Sequence, residues 1–222
     1  MKTIVITGAN SGVGHTASGF FADAGYKVIG ISRSTDQMAR IESKNFTCIQ
    51  ADVSNLEEIS VAFSKIESVD ILINSAAQFQ SAEFASQDMR RIEKMIDTNL
   101  KGTVFSTRLV LEKMKQGHII NISSVSGCYG IPNQAVYSAT KHALKGFAES
   151  LNKECVPRGI NVTNVCPGGI NTPLWNEENP YDGDKGRLLR AMDIVKVIDF
   201  IIQSGNRIVF KELVFFPNSE TH

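Results

Sequence analysis

Short apolar runs alternate with longer stretches of helical periodicity along the chain. Ile4-Val5-Ile6 is one such run, closed by Thr7-Gly8, and it reads as a first strand. Lys27-Val28-Ile29-Gly30-Ile31, Phe46-Thr47-Cys48-Ile49 and Asp70-Ile71-Leu72-Ile73-Asn74 predict the second to fourth strands. His118-Ile119-Ile120-Asn121-Ile122 and Ile160-Asn161-Val162-Thr163-Asn164-Val165 predict the fifth and sixth, and Leu213-Val214-Phe215-Phe216 the last. Helices fill the intervals. One runs from about Gly12 to Ala24 and is stopped by Gly25. The next opens at Ser54-Asn55-Leu56-Glu57, which has capping-box form with Ser54 at the cap, and places Leu56, Ile59, Phe63 and Ile66 at helical spacing. A long helical stretch covers about 87–115 with a break near Asn99, and further helices cover about 134–155 and 194–203. Residues 172–192 are polar and read as a loop or short lid.

Strands that are almost wholly apolar, with helices between them, imply a parallel sheet covered on both faces. The expected architecture is one Rossmann-like domain over residues 1–222, a doubly wound three-layer α/β/α sandwich of about seven strands. No linker, repeat or low-complexity segment divides it.

Composition narrows the function classes. The 222 residues carry 23 Lys+Arg and 23 Asp+Glu, so neither nucleic acid nor an anionic membrane is an expected partner. Hydrophobic residues make up 42% and charged residues 21%, as in a folded globular domain. Cys48, Cys128, Cys155 and Cys166 form no C-x-x-C pair and have no histidine at ligand-like spacing. Free thiols in a cytoplasmic protein are therefore expected, with no metal site. His15, His118, His142 and His222 read as structural or surface residues.

Candidate chemistry enters at the first turn. Thr7-Gly8-Ala9-Asn10-Ser11-Gly12-Val13-Gly14 lies between a strand and a helix, the context of a dinucleotide site. Gly8 would make the tight turn, Gly12 would let backbone approach a pyrophosphate at the helix N-terminus, and Gly14 would let helix and sheet pack closely. Tyr137-Ser138-Ala139-Thr140-Lys141 puts a phenol and an ammonium four residues apart on one helical face. Lowering a tyrosine from ~10 by about three units takes roughly 4 kcal/mol, which a lysine and a cationic ring could supply together. Tyr137 could then act as acid or base. Ser124, thirteen residues earlier, falls at the carboxyl end of the fifth strand, where open α/β sheets place ligands.

The T-G-x-x-x-G-x-G turn, Ser124 and the Y-x-x-x-K pair together resemble the short-chain dehydrogenase/reductase (SDR) family. The resemblance implies an Asn-Ser-Tyr-Lys tetrad of Asn99, Ser124, Tyr137 and Lys141. In it Asn99 holds a water through a distorted helix segment, and Lys141 reaches that water and contacts the nicotinamide ribose. It also implies cofactor contacts from Gly8, Asn10, Ser11, Gly12, Val13 and Gly14. Further contacts would come from Asp52-Val53 at the adenine ring, from Asn74 and Ala76, and from Pro167, Gly168, Ile170 and Thr172 near the carboxamide. Asn74-Ser75-Ala76-Ala77 departs from the family's N-N-A-G, with Ala77 losing backbone freedom. Asn74 is expected to brace the sheet.

At the end of the second strand Ser32 occupies the position expected of an acid, and Arg33 follows. That favours NADP(H) over NAD(H), since arginine accommodates a 2′-phosphate. The expected function is hydride transfer between the cofactor and a carbonyl or secondary alcohol. A non-enzymatic redox sensor and a sugar epimerase or dehydratase are the alternatives. Leu174 and Trp175 could cover the nicotinamide, and Tyr129 and Gln78 could line the pocket; Lys185, Arg187 and Arg190 read as a solvated helix start, as charge runs usually are, with contact to an anionic substrate group the alternative. The short stretch after Thr172 implies an open or partner-completed pocket. The family resemblance further implies a homodimer or homotetramer.

Overall fold

The computed structural model describes residues 1–220, so His222 lies outside the described residues. β1 (Thr3–Thr7), β2 (Lys27–Ser32), β3 (Phe46–Gln50), β4 (Ile71–Asn74), β5 (Gly117–Ile122) and β6 (Ile160–Pro167) follow the apolar runs. β7 (Ile170–Asn171) and β8 (Leu189–Arg190) pair in a small parallel ribbon, and β9 (Glu212–Phe215) rejoins the main sheet. That sheet has seven parallel strands in the order β3-β2-β1-β4-β5-β6-β9. The order reverses between β1 and β4, and a crevice opens there beyond the carboxyl ends of the strands.

Among the described residues six α-helices cover the sheet: α1 (Gly12–Asp23), α2 (Leu56–Ser64), α3 (Met89–Ile96), α4 (Gly102–Val110), α5 (Ala135–Cys155) and α6 (Ala191–Gln203). Side chains alternate across each strand, so one run supplies two cores. Ile4, Ile6, Ile71 and Ile73 join Phe21 of α1 with Ile194 and Ile198 of α6 on one face. Val5, Leu72, Ile119 and Val162 join Phe63 of α2, Val110 of α4 and Leu151 of α5 on the other. A fully buried phenylalanine such as Phe63 is worth about 3–5 kcal/mol against alanine.

One sequence expectation changes in detail, at α2. The cap of α2 is Asn55, not Ser54: Asn55 Oδ1 accepts from the backbone N–H of Glu57 (3.1 Å) and Glu58 (3.2 Å). Ser54 donates instead to Asp52 Oδ1 at 2.7 Å, because the turn after β3 needs its hydroxyl. Leu56 is consequently 51% exposed, and the helix ends at Ser64, before Ile66. The break expected near Asn99 in the long helical stretch is a π-helical segment, Asp97–Lys101, that contains Asn99 and joins α3 to α4. The polar segment 172–192 is a loop carrying β8 and the first turn of α6.

Three asparagines stand in register on adjacent strands, Asn74 on β4, Asn121 on β5 and Asn164 on β6. Asn74 Nδ2 donates to Asn121 Oδ1 (2.9 Å), and Asn121 Nδ2 donates to Asn164 Oδ1 (3.0 Å). This buried ladder fixes the strand ends that carry the site, since buried amides left unpaired are costly.

Candidate active site

A cleft of about 550 Å³ runs along the carboxyl ends of the strands. One end is built by the turn between β1 and α1. Gly8 has φ +70°, and a Cβ there would lie 2.7 Å from the Ala76 backbone. Gly12 has φ +53°, and a Cβ there would come within 3.3 Å of the Thr172 methyl across the cleft. Gly14 is needed for a different contact, since its Cβ would collide with the Gly8 carbonyl. Ser11 precedes α1 without capping it through its side chain, so the helix N-terminus faces the cleft with its first N–H groups and positive dipole end available to an anion. A pyrophosphate needs such a cradle of bare backbone, so these residues fit a dinucleotide.

The remaining cofactor candidates divide into two groups. Ser11, Val13, Arg33, Asp52, Val53, Ala76, Ile170 and Thr172 line the cleft with Gly8 and Gly12. Asn10, Asn74, Pro167 and Gly168 are not among its lining residues. Asn10 Oδ1 accepts from the N–H of Gln37 (2.9 Å) and Met38 (3.3 Å), pinning the loop after β2. Asn74 braces the sheet, also donating to Thr107 Oγ1 at 3.1 Å. Gly168 is covered by the chain end, where Glu220 Oε1 accepts from Gly169 N–H at 3.0 Å. Ala77 has no left-handed φ, so its replacement of glycine brings no strain.

Tyr137 and Lys141 project from α5 into the middle of the cleft and are almost fully buried. The ammonium lies 5.5 Å from the phenol ring centroid and donates to the Ile122 carbonyl at 2.8 Å. The Ser124 hydroxyl lies within reach of the Tyr137 phenol and donates to Ser126 Oγ at 3.2 Å. Ser124 Oγ also accepts from Ser126 N–H at 3.1 Å, which fixes it in the turn after β5. Burial pushes the Tyr137 phenol up to about 12, against a smaller lowering by the Ser124 hydroxyl. Burial draws the Lys141 ammonium down to about 8. In this protein alone, then, the lysine does not lower the phenol: the dry site keeps Tyr137 protonated.

Asn99 is buried in the π segment. Its Oδ1 accepts from Gln78 N–H (2.7 Å), and its Nδ2 donates to the Gln78 carbonyl (2.9 Å) and Thr140 Oγ1 (3.2 Å). The carboxamide thus ties the loop after β4 to α5, on which Tyr137 sits.

The segment after β7 lines the far side of the cleft through Pro173, Leu174, Asn176, Glu178 and Asn179. Asn179 is buried; its Oδ1 accepts from Ser81 N–H and its Nδ2 donates to the Phe79 carbonyl, both at 3.1 Å. Phe79 stands edge-on to Tyr137 (4.9 Å between centroids) and to Trp175 (5.0 Å), and Trp175 packs against Tyr181. Gln78 and Leu174 line the cleft, whereas Trp175 backs Phe79 and Tyr129 is not among the lining residues. The three basic residues read as a solvated helix start are exposed and outside the cleft lining: Lys185 donates to the Trp175 carbonyl, and Arg190 pairs with Asp193. Arg91 and Lys94 of α3 line the cleft instead, with Arg91 paired to Glu178 at 3.0 Å. Phe79, Arg91, Lys94 and Asn179 escaped sequence reading because long-range packing, not local spacing, brings them to the cleft. Among the described residues no helix is long and apolar enough to cross a membrane.

The short chain dehydrogenase family model matches residues 2–182. An uncharacterized oxidoreductase of Staphylococcus aureus (strain USA300) is 30% identical over 227 residues, with 97% of each chain covered. One from Staphylococcus saprophyticus is 31% identical over 230 residues, again with 97% of each covered. Among solved structures, serine dehydrogenase from Escherichia coli has a TM-score of 0.88 at 26% identity, covering 99% of this chain and 100% of that one. A closed form of serine dehydrogenase complexed with NADP+ has a TM-score of 0.90 at 26% identity, covering 99% and 96%. These neighbours give no support to the non-enzymatic sensor or the sugar epimerase. The chain belongs to the short chain dehydrogenase family and is an NAD(P)-dependent oxidoreductase.

Proposed function

We propose that this enzyme moves a hydride between NADP(H) and a small carbonyl or secondary-alcohol substrate, with Tyr137 as the acid/base. One observation carries the reading. The Tyr137 phenol, within reach of the Ser124 hydroxyl and flanked by Lys141, sits in the same cleft as the glycine cradle. When bound, the nicotinamide cofactor supplies or accepts the hydride. Gly8, Ser11, Gly12 and Val13 would hold its pyrophosphate, Asp52 and Val53 its adenine, and Ile170 and Thr172 its carboxamide end. Tyr137 gives its proton to the developing alkoxide oxygen while the Ser124 hydroxyl donates a hydrogen bond to the same oxygen. Lys141 holds positive charge beneath the phenol and steadies the phenolate left behind. Asn99 is a positioning residue, holding the Gln78 backbone against α5. The segment 172–190 serves as the substrate lid, with Phe79 packed between Tyr137 and Trp175.

Loss of the phenol tests the reaction. Tyr137→Phe should lower turnover by about 1,000-fold or more in a panel of carbonyl and alcohol substrates, read at the nicotinamide absorbance, with cofactor binding nearly unchanged. Activity within tenfold of the parent would end the assignment. Arg33 supports the NADP(H) preference: it is exposed at the cleft's adenine end, Ser32 beside it carries no charge, and Ser34 takes up the nearby Asp36 carboxylate with a 2.8 Å hydrogen bond. Arg33→Ala should weaken NADPH by about tenfold and NADH by less than about twofold. Equal losses would remove the phosphate reading. Phe84, Ile92, Ile96, Leu100, Val136 and Ala139 line an apolar groove on α3–α5, which supports self-association through these helices.

A further inference from the structure

Cys128, Cys166 and Glu212 come from three separate parts of the chain and meet behind the cleft. Their Sγ and carboxylate oxygen atoms all lie within 4.8 Å of one another. Cys128 follows the turn that holds Ser124, Cys166 immediately precedes Pro167 on β6, and Glu212 opens β9. The Cys128 and Cys166 thiols both point at one oxygen, Glu212 Oε1, at 3.7 and 3.5 Å. The other oxygen, Oε2, is held by Lys145 at 3.0 Å. Nothing in the proposed hydride transfer uses these groups.

We propose that this cluster is a binding site for a soft divalent cation, zinc foremost. A tetrahedral ion with metal–sulfur bonds of ~2.3 Å and a metal–oxygen bond of ~2.0 Å holds sulfur and oxygen about 3.5 Å apart. The two sulfur–oxygen distances are already of that size. Two sulfur donors select zinc-like ions over magnesium or calcium. The Lys145 contact orients Glu212 from outside the donor set and leaves Oε1 as a single donor, as outer partners do in metal sites. Cys128 is half-buried and gives an ion entry, while Cys166 is buried at the back. As the ion enters, both S–H protons leave to solvent and two metal–thiolate bonds form; no oxidation is involved. The spacing along the chain conceals the site, because the ligands are joined by the β5–β6–β9 side of the sheet rather than by a short motif. A bound ion would tie the Ser124 turn and the segment after Pro167 to β9.

The test uses the full-length, tag-free, reduced protein titrated with Co²⁺ and, in competition, Zn²⁺. One equivalent of cobalt should give thiolate-to-cobalt charge-transfer absorption that zinc abolishes, and zinc should raise the melting temperature by about 5 °C at saturation. Cys48→Ser, which alters an exposed cysteine outside the cluster, should keep both effects. Cys128→Ser and Glu212→Gln should each weaken binding at least tenfold, with folding confirmed by circular dichroism. If one variant does not fold, the other decides. Absence of the absorption band, or binding unchanged in the folded variant, overturns the proposal.

Discussion

The glycine turn after β1 and the segment after β7 both face the cleft, yet they are held in opposite ways. The turn is fixed by its own backbone: Gly8 and Gly12 take left-handed φ, and Gly14 packs on Gly8 within the same few residues. The far segment has a local turn, in which Asn176 Oδ1 accepts from the N–H of Glu178 (3.0 Å) and Asn179 (3.1 Å), but that turn by itself does not fix the segment to the rest of the cleft. The segment is held by Asn179, bonded to the backbone of Phe79 and Ser81 about a hundred residues earlier, by the exposed Arg91–Glu178 pair, and by Phe79 against Trp175. A wall held by local geometry can be rigid before any ligand arrives. A wall held by a few polar contacts can open and close, since such segments sit at the low end of local stability. On the proposed reading, the end that would take the cofactor is the rigid one and the end that would take the substrate is the one free to move.

The largest effect should come from breaking the rigid wall. Gly8→Ala places a methyl 2.7 Å from the Ala76 backbone at a φ that costs an L-residue roughly 1–2 kcal/mol by itself. The turn must shift away from Ala76, and the helix N-terminus moves with it. Affinity for NADPH, followed by fluorescence titration, should drop by about 100-fold or more. Retention within threefold would mean that this turn does not set the cofactor's position.

Breaking the other wall should leave the cofactor alone. Asn179→Ala removes two hydrogen bonds, each worth about 1 kcal/mol, so KM for the substrate should rise by about 30-fold. The dissociation constant for NADPH should stay within about twofold. A parallel loss in both would show that the segment shapes the whole cleft and that the contrast between the walls is false.

The same contrast explains what the sequence discloses. Runs such as Ile71-Leu72-Ile73 announce buried strands because every position is apolar, and the seven-strand parallel sheet follows from their alternation with helices. The glycine turn and the Tyr137–Lys141 pair are legible because spacing alone specifies their geometry. Asn99 is legible only as a break, and its hold on Gln78 requires the fold. The cap of α2 was displaced by one residue because Ser54 and Asn55 can both cap, and the choice falls to Asp52, which engages Ser54. Arg91, Lys94, Asn179 and the Cys128–Cys166–Glu212 cluster leave no local signature at all. Each depends on which distant element lands beside it.

The smallest effect concerns Lys141, the cation that α5, and neither wall, brings to the cleft. Burial draws Lys141 down to about 8, so its ammonium is present below that pH and is lost as pH rises through it. Tyr137, pushed up to about 12, remains protonated over the same interval and contributes no change of its own. Loss of the ammonium removes the charge that steadies the phenolate, so kcat/KM for carbonyl reduction should be level below about pH 7.5 and fall about fourfold between pH 7 and 8.5. An arginine cannot lose its charge in this range, so Lys141→Arg should flatten that limb at whatever rate it retains. A limb that persists unchanged in Lys141→Arg would assign the titration elsewhere, and the segment after β7 would then be the place to search for a second ionising group.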